Sequence, residues 1–138
     1  MNSVVILRRF LRALAVLDLL ALLVILFPHS WMEAIHAWLG LGEMPDDIIV
    51  EYFARSGSLL YALHGATLFY VSLDVERYWR LIHFLALVSL VHGSLVLMLD
   101  LSLGLPFFWV VTEGPFLLFT GVFVLWLQSR VTPKEETI

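Results

Sequence analysis

The chain of 138 residues contains no cysteine, which excludes disulfide bonds, thiol nucleophiles and cysteine-bound iron–sulfur clusters within it. Charged residues are scarce as well, at 14% of the sequence, whereas soluble globular domains have about 25%. The sequence also lacks a phosphate-binding glycine loop, a recognisable nucleophile–base pair and a closed set of metal ligands. Hydrophobic residues make up 61% of the chain, and their distribution along the sequence is the main basis for predicting the fold.

These hydrophobic residues form four long runs. The runs extend approximately over Phe10 to Phe27, Ile48 to Leu73, Leu81 to Leu99 and Phe107 to Gln128. A helix that crosses a bilayer core of about 30 Å needs about 20 mostly apolar residues. The sequence therefore predicts an all-α fold, a four-helix transmembrane bundle whose short connections give an up-down-up-down topology. We expect residues 1–131 to form one domain and residues 132–138 to form a short polar cytoplasmic tail.

The basic residues predict the orientation of this bundle. Seven of the eight fall on one predicted side, namely Arg8, Arg9, Arg12, Arg77, Arg80, Arg130 and Lys134. Short loops rich in Lys and Arg remain in the cytoplasm, so both termini are expected there. A cleaved signal peptide is the competing interpretation of the N-terminus, but Asp18 in the middle of the apolar run argues against it. This charge distribution does not indicate nucleic-acid binding.

The connection between spans one and two predicts a short interfacial helix. Pro28 ends span one, and residues 29–39 place two tryptophans on one face, as headgroup-facing helices do. His29, Glu33 and His36 share the opposite face and have metal-capable side chains. We expect a solvated polar face there rather than a metal site, because nothing nearby completes a set of ligands.

A first polar cluster is predicted near mid-membrane. Asp18, His64 and His92 lie near the middle of spans one, two and three, with Tyr61 on the edge of the polar face of span two. An ionisable side chain at this depth costs about 2.5–3.5 kcal/mol and usually has a partner. Three interpretations remain open: a buried structural network, a site that handles protons or a polar ligand, and a haem b site in which His64 and His92 are the ligands.

A second polar cluster is predicted near the outer surface. Arg55 lies about two turns inside span two, Asp100 ends span three, and Glu113 lies within the first two turns of span four. We expect Arg55 to contact Glu113 or Asp100, with Glu51 one turn above it, because a planar guanidinium pairs well with carboxylates. This cluster is either a structural salt bridge or the polar wall of a ligand pocket.

Several of these residues also suggest a family. The pattern consists of Arg55, Tyr61, Asp100, Gly104, Pro106 and Glu113. It resembles the DoxX-like families of small four-helix bacterial membrane proteins, and the similarity covers spans two to four. The resemblance implies the same four-helix fold and a location in the bacterial inner membrane. Some proteins of this type are associated with redox complexes that feed quinone, so the resemblance also implies a redox setting.

The function class is inferred from the apolar spans with their polar residues and from the lack of a recognisable catalytic motif. We expect a non-catalytic subunit of a membrane complex, or a protein that binds a lipophilic small molecule such as a quinone or a lipid. The alternative is a small membrane enzyme or a redox or proton carrier that uses His64 and His92. The expected partners are the lipid bilayer and either another membrane protein or a second copy of the chain, with no nucleic acid.

Overall fold

A computed structural model describes residues 3–131, and the regular structure within this range is entirely helical. The helices are α1 (Ser3–Leu19), α2 (Leu22–Ile25), α3 (His29–Trp38), α4 (Ile48–Leu73), α5 (Trp79–Leu103) and α6 (Phe107–Ser129). The all-α prediction is therefore confirmed for the part of the chain that the structure describes. The predicted polar tail, residues 132–138, lies outside the described residues.

Two of these helices are long and apolar enough to cross a membrane. They are α5, with 25 residues, and α6, with 23 residues. Only 17% and 28% of their most apolar windows are buried inside the chain, so most of their hydrophobic side chains face outward. The other two predicted spans differ: α1 ends after 17 residues, and α4 is long but contains Glu51, Arg55 and His64. Four membrane-crossing helices therefore stay a prediction.

The chain divides into two compact units. The smaller unit is Leu11–Tyr70, and the larger unit combines Met1–Phe10 with Val71–Ile138. The smaller unit holds most of α1, all of α2 and α3, and most of α4. The larger unit holds α5 and α6 together with the start of α1 and the last residues of α4.

In the larger unit, glycines let α5 and α6 approach closely. A Cβ atom added at Gly93 would lie 2.9 Å from the carbonyl oxygen of Gly114, and one added at Gly121 would lie 2.8 Å from that of Ala86. Ser89 donates a hydrogen bond from Oγ to the carbonyl oxygen of Leu117, at 2.8 Å, across the same contact. Small residues at a helix interface allow such close packing and add hydrogen bonds where side chains are short.

Polar side chains also join the ends of these two helices. Gln128, which is buried near the end of α6, donates from Nε2 to the carbonyl oxygen of Trp79, at 3.0 Å. Its Oε1 lies 3.0 Å from His83 Nδ1 on α5. At the opposite end, α5 terminates at Gly104 with φ of 67°, a left-handed conformation that glycine adopts without strain.

In the smaller unit, span one changes its hydrogen-bonding pattern directly after Asp18. The backbone N–H of Ala21 donates to Asp18, that of Val24 to Ala21, and that of Phe27 to Val24, each at 3.1 Å. These bonds join residues three apart, the spacing of a tighter 3₁₀-type turn, although residues 22–25 within the segment form the short α-helix α2. We call residues 20–27, which include the four residues of α2, the tightened segment. Pro28 then precedes α3 with extended backbone angles.

Gly65 on α4 is the point where α4 meets this region of α1. A Cβ atom at Gly65 would lie 2.8 Å from the carbonyl oxygen of Ala15, 2.8 Å from Asp18 Cβ and 3.0 Å from the backbone nitrogen of Leu19. A residue with any side chain would displace the backbone of α1. The absence of a side chain at Gly65 therefore brings the neighbouring position, His64, next to Asp18.

Candidate functional site

The structure brings together two of the predicted central residues, Asp18 and His64. His64 Nδ1 lies 2.7 Å from Asp18 Oδ2, within hydrogen-bonding distance. The carboxylate side chain is 17% exposed, whereas the imidazole is 49% exposed. Asp18 is therefore mostly covered by the chain, whereas about half of the imidazole of His64 is exposed.

The surroundings of this pair are apolar. Leu60 and Leu63 on α4 are 68% and 65% exposed, so large hydrophobic side chains flank His64 on the outside of the helix. Tyr61 precedes His64 by three residues on α4 and is also exposed, which places both on one face. A carboxylate that fixes one imidazole nitrogen leaves the other available to a ligand, a proton or a metal ion.

The third predicted member of the central cluster is His92. It is exposed in the middle of α5, next to the buried Gly93. His92 belongs to the larger unit, whereas Asp18 and His64 belong to the smaller one. Its membership of a common network with Asp18 and His64 therefore stays a prediction.

Arg55 is the centre of a second group of contacts in the smaller unit. Its Nη2 atom lies 2.5 Å from Glu51 Oε1 and donates to the carbonyl oxygen of Phe27 at 3.1 Å. Glu51 was predicted to lie one turn above Arg55, and this is where the structure places it. The contact with Phe27 was not predicted, because a backbone carbonyl at the end of a tightened segment leaves no pattern in the side chains.

His29 connects this group to α3. Its ring nitrogens lie 3.4 Å from Glu33 Oε1 and 3.6 Å from Glu51 Oε2. His36, which shares the predicted polar face, has its Nδ1 atom 3.0 Å from the carbonyl oxygen of Gly42. Among residues 3–131, no three His, Asp or Glu side chains are arranged to hold a metal ion. The polar face of α3 thus makes contacts with α4 and the following loop.

Asp100 and Glu113 lie in the larger unit. Asp100 is 3% exposed, and its Oδ2 atom is buried without a hydrogen-bond partner among the described residues. Glu113 Oε2 accepts a hydrogen bond from Trp109 Nε1, one turn earlier on α6. Because Arg55 belongs to the smaller unit, its predicted contact with Asp100 or Glu113 stays a prediction.

The pairing of His83 with Gln128 is a polar contact that the sequence patterns did not reveal. The available signal was a glutamine at the end of an otherwise apolar span, which in an apolar setting needs hydrogen-bond partners.

Comparisons of the chain with family models, with curated proteins and with solved structures found no match. The case for a function therefore depends on the chemistry of the contacts described above.

Proposed function

We propose that the chain is a multi-pass membrane protein that binds the polar group of a lipophilic small molecule, a quinone or a lipid, at Asp18 and His64. The observation that supports this most strongly is the half-exposed imidazole, fixed at Nδ1 by a mostly covered carboxylate and flanked by exposed leucines. The proposal includes either a stand-alone binding protein or a binding subunit of a membrane complex.

Membrane insertion is supported by the outward-facing hydrophobic residues. Monomeric soluble proteins rarely expose large continuous apolar surfaces, whereas α5 and α6 keep most of their apolar residues unburied. The 26 residues of α4 extend over about 39 Å, which exceeds a hydrocarbon core of about 30 Å. In the proposed arrangement four spans cross the bacterial inner membrane, both termini are cytoplasmic, α3 lies among the headgroups, and the fold is DoxX-like.

A ligand at His64 has a physical rationale. An imidazole half exposed to hydrocarbon loses the hydrogen bonds that water would supply at Nε2. A lipophilic molecule with one polar group restores such a bond while its apolar part contacts residues such as Leu60 and Leu63. Ligand sites commonly combine mostly apolar contacts with a few oriented polar groups, and the pair on α1 and α4 fits this description.

The binding proposal is tested by analysing what remains bound to the purified protein. Wild-type protein and a His64→Phe variant would be purified in the same mild detergent, and their organic extracts compared by mass spectrometry. We expect the wild type to retain a quinone or a particular lipid that the variant loses. Identical extracts, together with no binding of added decylubiquinone to the wild type, would refute the proposal.

The proposed topology is tested separately, and the absence of cysteine makes this direct. Single cysteines at Asn2 and Glu43 would be labelled in intact cells with a membrane-impermeant maleimide. We expect labelling of Glu43→Cys without permeabilisation and of Asn2→Cys only after it. Labelling of Glu43→Cys from the cytoplasmic side alone would contradict the four-span arrangement.

One observation favours a second candidate, a redox or proton carrier. Histidines that ligate metals commonly donate their second ring N–H to a carboxylate, and Asp18 occupies that position at His64. In this version His64 and His92 bind haem b or pass protons. An absorption spectrum of the native protein with a Soret band that disappears in His64→Phe would support it over the binding proposal.

A further inference from the structure

We propose that the beginning of α4 binds the headgroup of a zwitterionic phospholipid, with Arg55 holding the phosphate and Glu33 holding an ammonium group, such as that of phosphatidylethanolamine. This site is separate from the pair formed by Asp18 and His64, although all four residues belong to the smaller unit. The proposal rests on the membrane insertion argued above, because it requires the beginning of α4 to lie at a membrane surface.

Arg55 has hydrogen-bond donors that the chain does not use. Its contacts with Glu51 and with the carbonyl oxygen of Phe27 are both made by Nη2. A guanidinium has five N–H donors and is always charged. Among residues 3–131, Nε and Nη1 have no hydrogen-bond partner, and Nε is buried, whereas the side chain as a whole is 35% exposed. Nη1 is therefore the donor that a molecule outside the chain can reach.

The guanidinium of Arg55 lies at the depth of lipid headgroups in the proposed arrangement. It contacts Glu51, which is three residues after the start of α4 at Ile48, about 4.5 Å along the helix. A hydrocarbon core of about 30 Å centred on the 39 Å of α4 leaves about 4–5 Å of helix beyond the core at each end. The guanidinium is thus near the boundary between hydrocarbon and headgroups, where a lipid phosphate is within its reach.

Glu33 on α3 supplies a carboxylate of opposite charge close to this donor. The nearest basic atom to it is His29 Nε2, at 3.4 Å, which is longer than a normal hydrogen bond. His29 Nδ1 lies 3.6 Å from Glu51 Oε2, so a continuous series of contacts leads from Arg55 through Glu51 and His29 to Glu33. The carboxylate of Glu33 is half-exposed and is available to a cation.

The charges of this group favour a zwitterionic headgroup over an anionic one. Glu51 already offsets the charge of Arg55, and Glu33 would repel a second anion. A zwitterion instead places its phosphate at Arg55 and its cation at Glu33, so each charge gains a partner. An ammonium with N–H groups makes charge-assisted hydrogen bonds to a carboxylate, whereas a trimethylammonium has no N–H to donate. The site should therefore select ethanolamine over choline.

Apolar side chains beside Arg55 provide a surface for the acyl chains of such a lipid. The ring of Trp31 packs edge-to-face on that of Phe27, whose carbonyl oxygen Arg55 binds, with 5.5 Å between the ring centroids. Trp31 and the neighbouring Leu26 are both exposed. Tryptophan is enriched at the level of lipid headgroups, which agrees with this position.

The experiment measures lipid binding to the full-length protein in detergent by native mass spectrometry. The probes are phosphatidylethanolamine, phosphatidylcholine and phosphatidylglycerol with identical acyl chains. We expect the wild type to bind phosphatidylethanolamine about tenfold more tightly than the other two, as one charge-assisted hydrogen bond predicts. Glu33→Gln should bind phosphatidylethanolamine and phosphatidylcholine equally. Glu43→Gln is the matched control, because it removes the same charge from an exposed position after α3 and should keep the preference.

A second variant tests the phosphate contact. Arg55→Gln should weaken the binding of phosphatidylethanolamine and phosphatidylcholine alike, by about tenfold, because both lipids carry the phosphate. Circular dichroism would verify that its helices are retained, and Glu33→Gln tests the proposal even if they are not. Soluble glycerophosphoethanolamine at the same concentration should not displace the lipid, because it lacks acyl chains.

Four results would overturn the proposal. They are equal affinity of the wild type for phosphatidylethanolamine and phosphatidylcholine, tighter binding of phosphatidylglycerol, an unchanged preference in Glu33→Gln, and displacement of the lipid by glycerophosphoethanolamine. The His64→Phe variant should keep the preference for phosphatidylethanolamine. Failure of the binding function proposed at Asp18 and His64 is therefore distinguishable from failure of this proposal.

Discussion

Replacing Gly65 by alanine should separate Asp18 from His64 without removing either side chain. The new Cβ atom would lie 2.8 Å from both the Ala15 carbonyl oxygen and Asp18 Cβ, and 3.0 Å from the Leu19 nitrogen. Carbon atoms in ordinary contact are about 3.5–4.0 Å apart, so α1 and α4 must separate by about 0.7 Å or more. The distance of 2.7 Å between His64 Nδ1 and Asp18 Oδ2 would lengthen to about 3.4 Å, which is longer than the usual range of about 2.7–3.2 Å and weakens the hydrogen bond.

The magnitude follows from two opposing effects. Overpacking of this kind costs about 1–3 kcal/mol, because two of the three crowded atoms belong to the backbone and cannot rotate away. The change from glycine to alanine within a helix contributes about 1 kcal/mol in the stabilising direction. The net loss in the free energy of unfolding for Gly65→Ala alone is thus about 0–2 kcal/mol.

Gly57 on the same helix provides the control. A Cβ atom there would meet nothing within 4 Å, so Gly57→Ala has the gain in helix propensity without the crowding. The difference between the two variants isolates the packing cost, about 1–3 kcal/mol, or about 3–5 °C in Tm for each kcal/mol. Thermal unfolding in one detergent, followed by circular dichroism, measures it. If Gly65→Ala melts at or above the temperature of Gly57→Ala, the close approach at Gly65 is wrong.

Two further predictions concern charged residues. Arg55→Ala should lower the free energy of unfolding by about 1–3 kcal/mol, because Glu51 and a backbone carbonyl lose a charged donor, and Arg55→Lys should restore only part of it. Full stability of Arg55→Ala in a thermal-shift assay would contradict these contacts. Asp100→Asn should raise the melting temperature, since the amide avoids a buried carboxylate oxygen without a partner, whereas Asp46→Asn, at an exposed site, should not change it. A lower melting temperature for Asp100→Asn would contradict this reasoning.

The sequence predicted the helices that long apolar runs define and did not predict where one run is interrupted. The run from Phe10 to Phe27 has the composition of one continuous span, yet α1 ends at Leu19. No proline or glycine marks this end, so no local signal was available. The interrupted region contacts α4 at two places, the approach at Gly65 and the hydrogen bond from Arg55 to the carbonyl oxygen of Phe27. A hydropathy pattern depends on residues that are close in the sequence, so it does not reveal contacts with another helix.

The candidate site was likewise predicted only in part, because the sequence indicates which residues need partners but not which partners they contact. The cost of placing Asp18 in an apolar run predicted that it would have a partner, and counting depth along the spans identified His64 as a candidate. The guanidinium of Arg55 was expected to reach Asp100 or Glu113, but the contacts observed for it in the smaller unit are with Glu51 and Phe27. Glu51 is four residues away on the same helix, and such local pairs require no loop to be closed.

The two polar contacts of α4 have a joint consequence for the tightened segment. His64 holds Asp18, just before its start, and Arg55 holds the carbonyl oxygen of Phe27, at its end. His64 and Arg55 are nine residues apart on α4, and Asp18 and Phe27 are nine residues apart in the sequence. One continuous helix therefore contacts both ends of the irregular segment. Backbone that departs from α-helical geometry in an apolar setting persists when neighbouring protein groups satisfy it. A ligand that changes the hydrogen bonding of His64 therefore alters one of the two hydrogen-bonded contacts that α4 makes with span one. We expect ligand binding at His64 to change the conformation of span one.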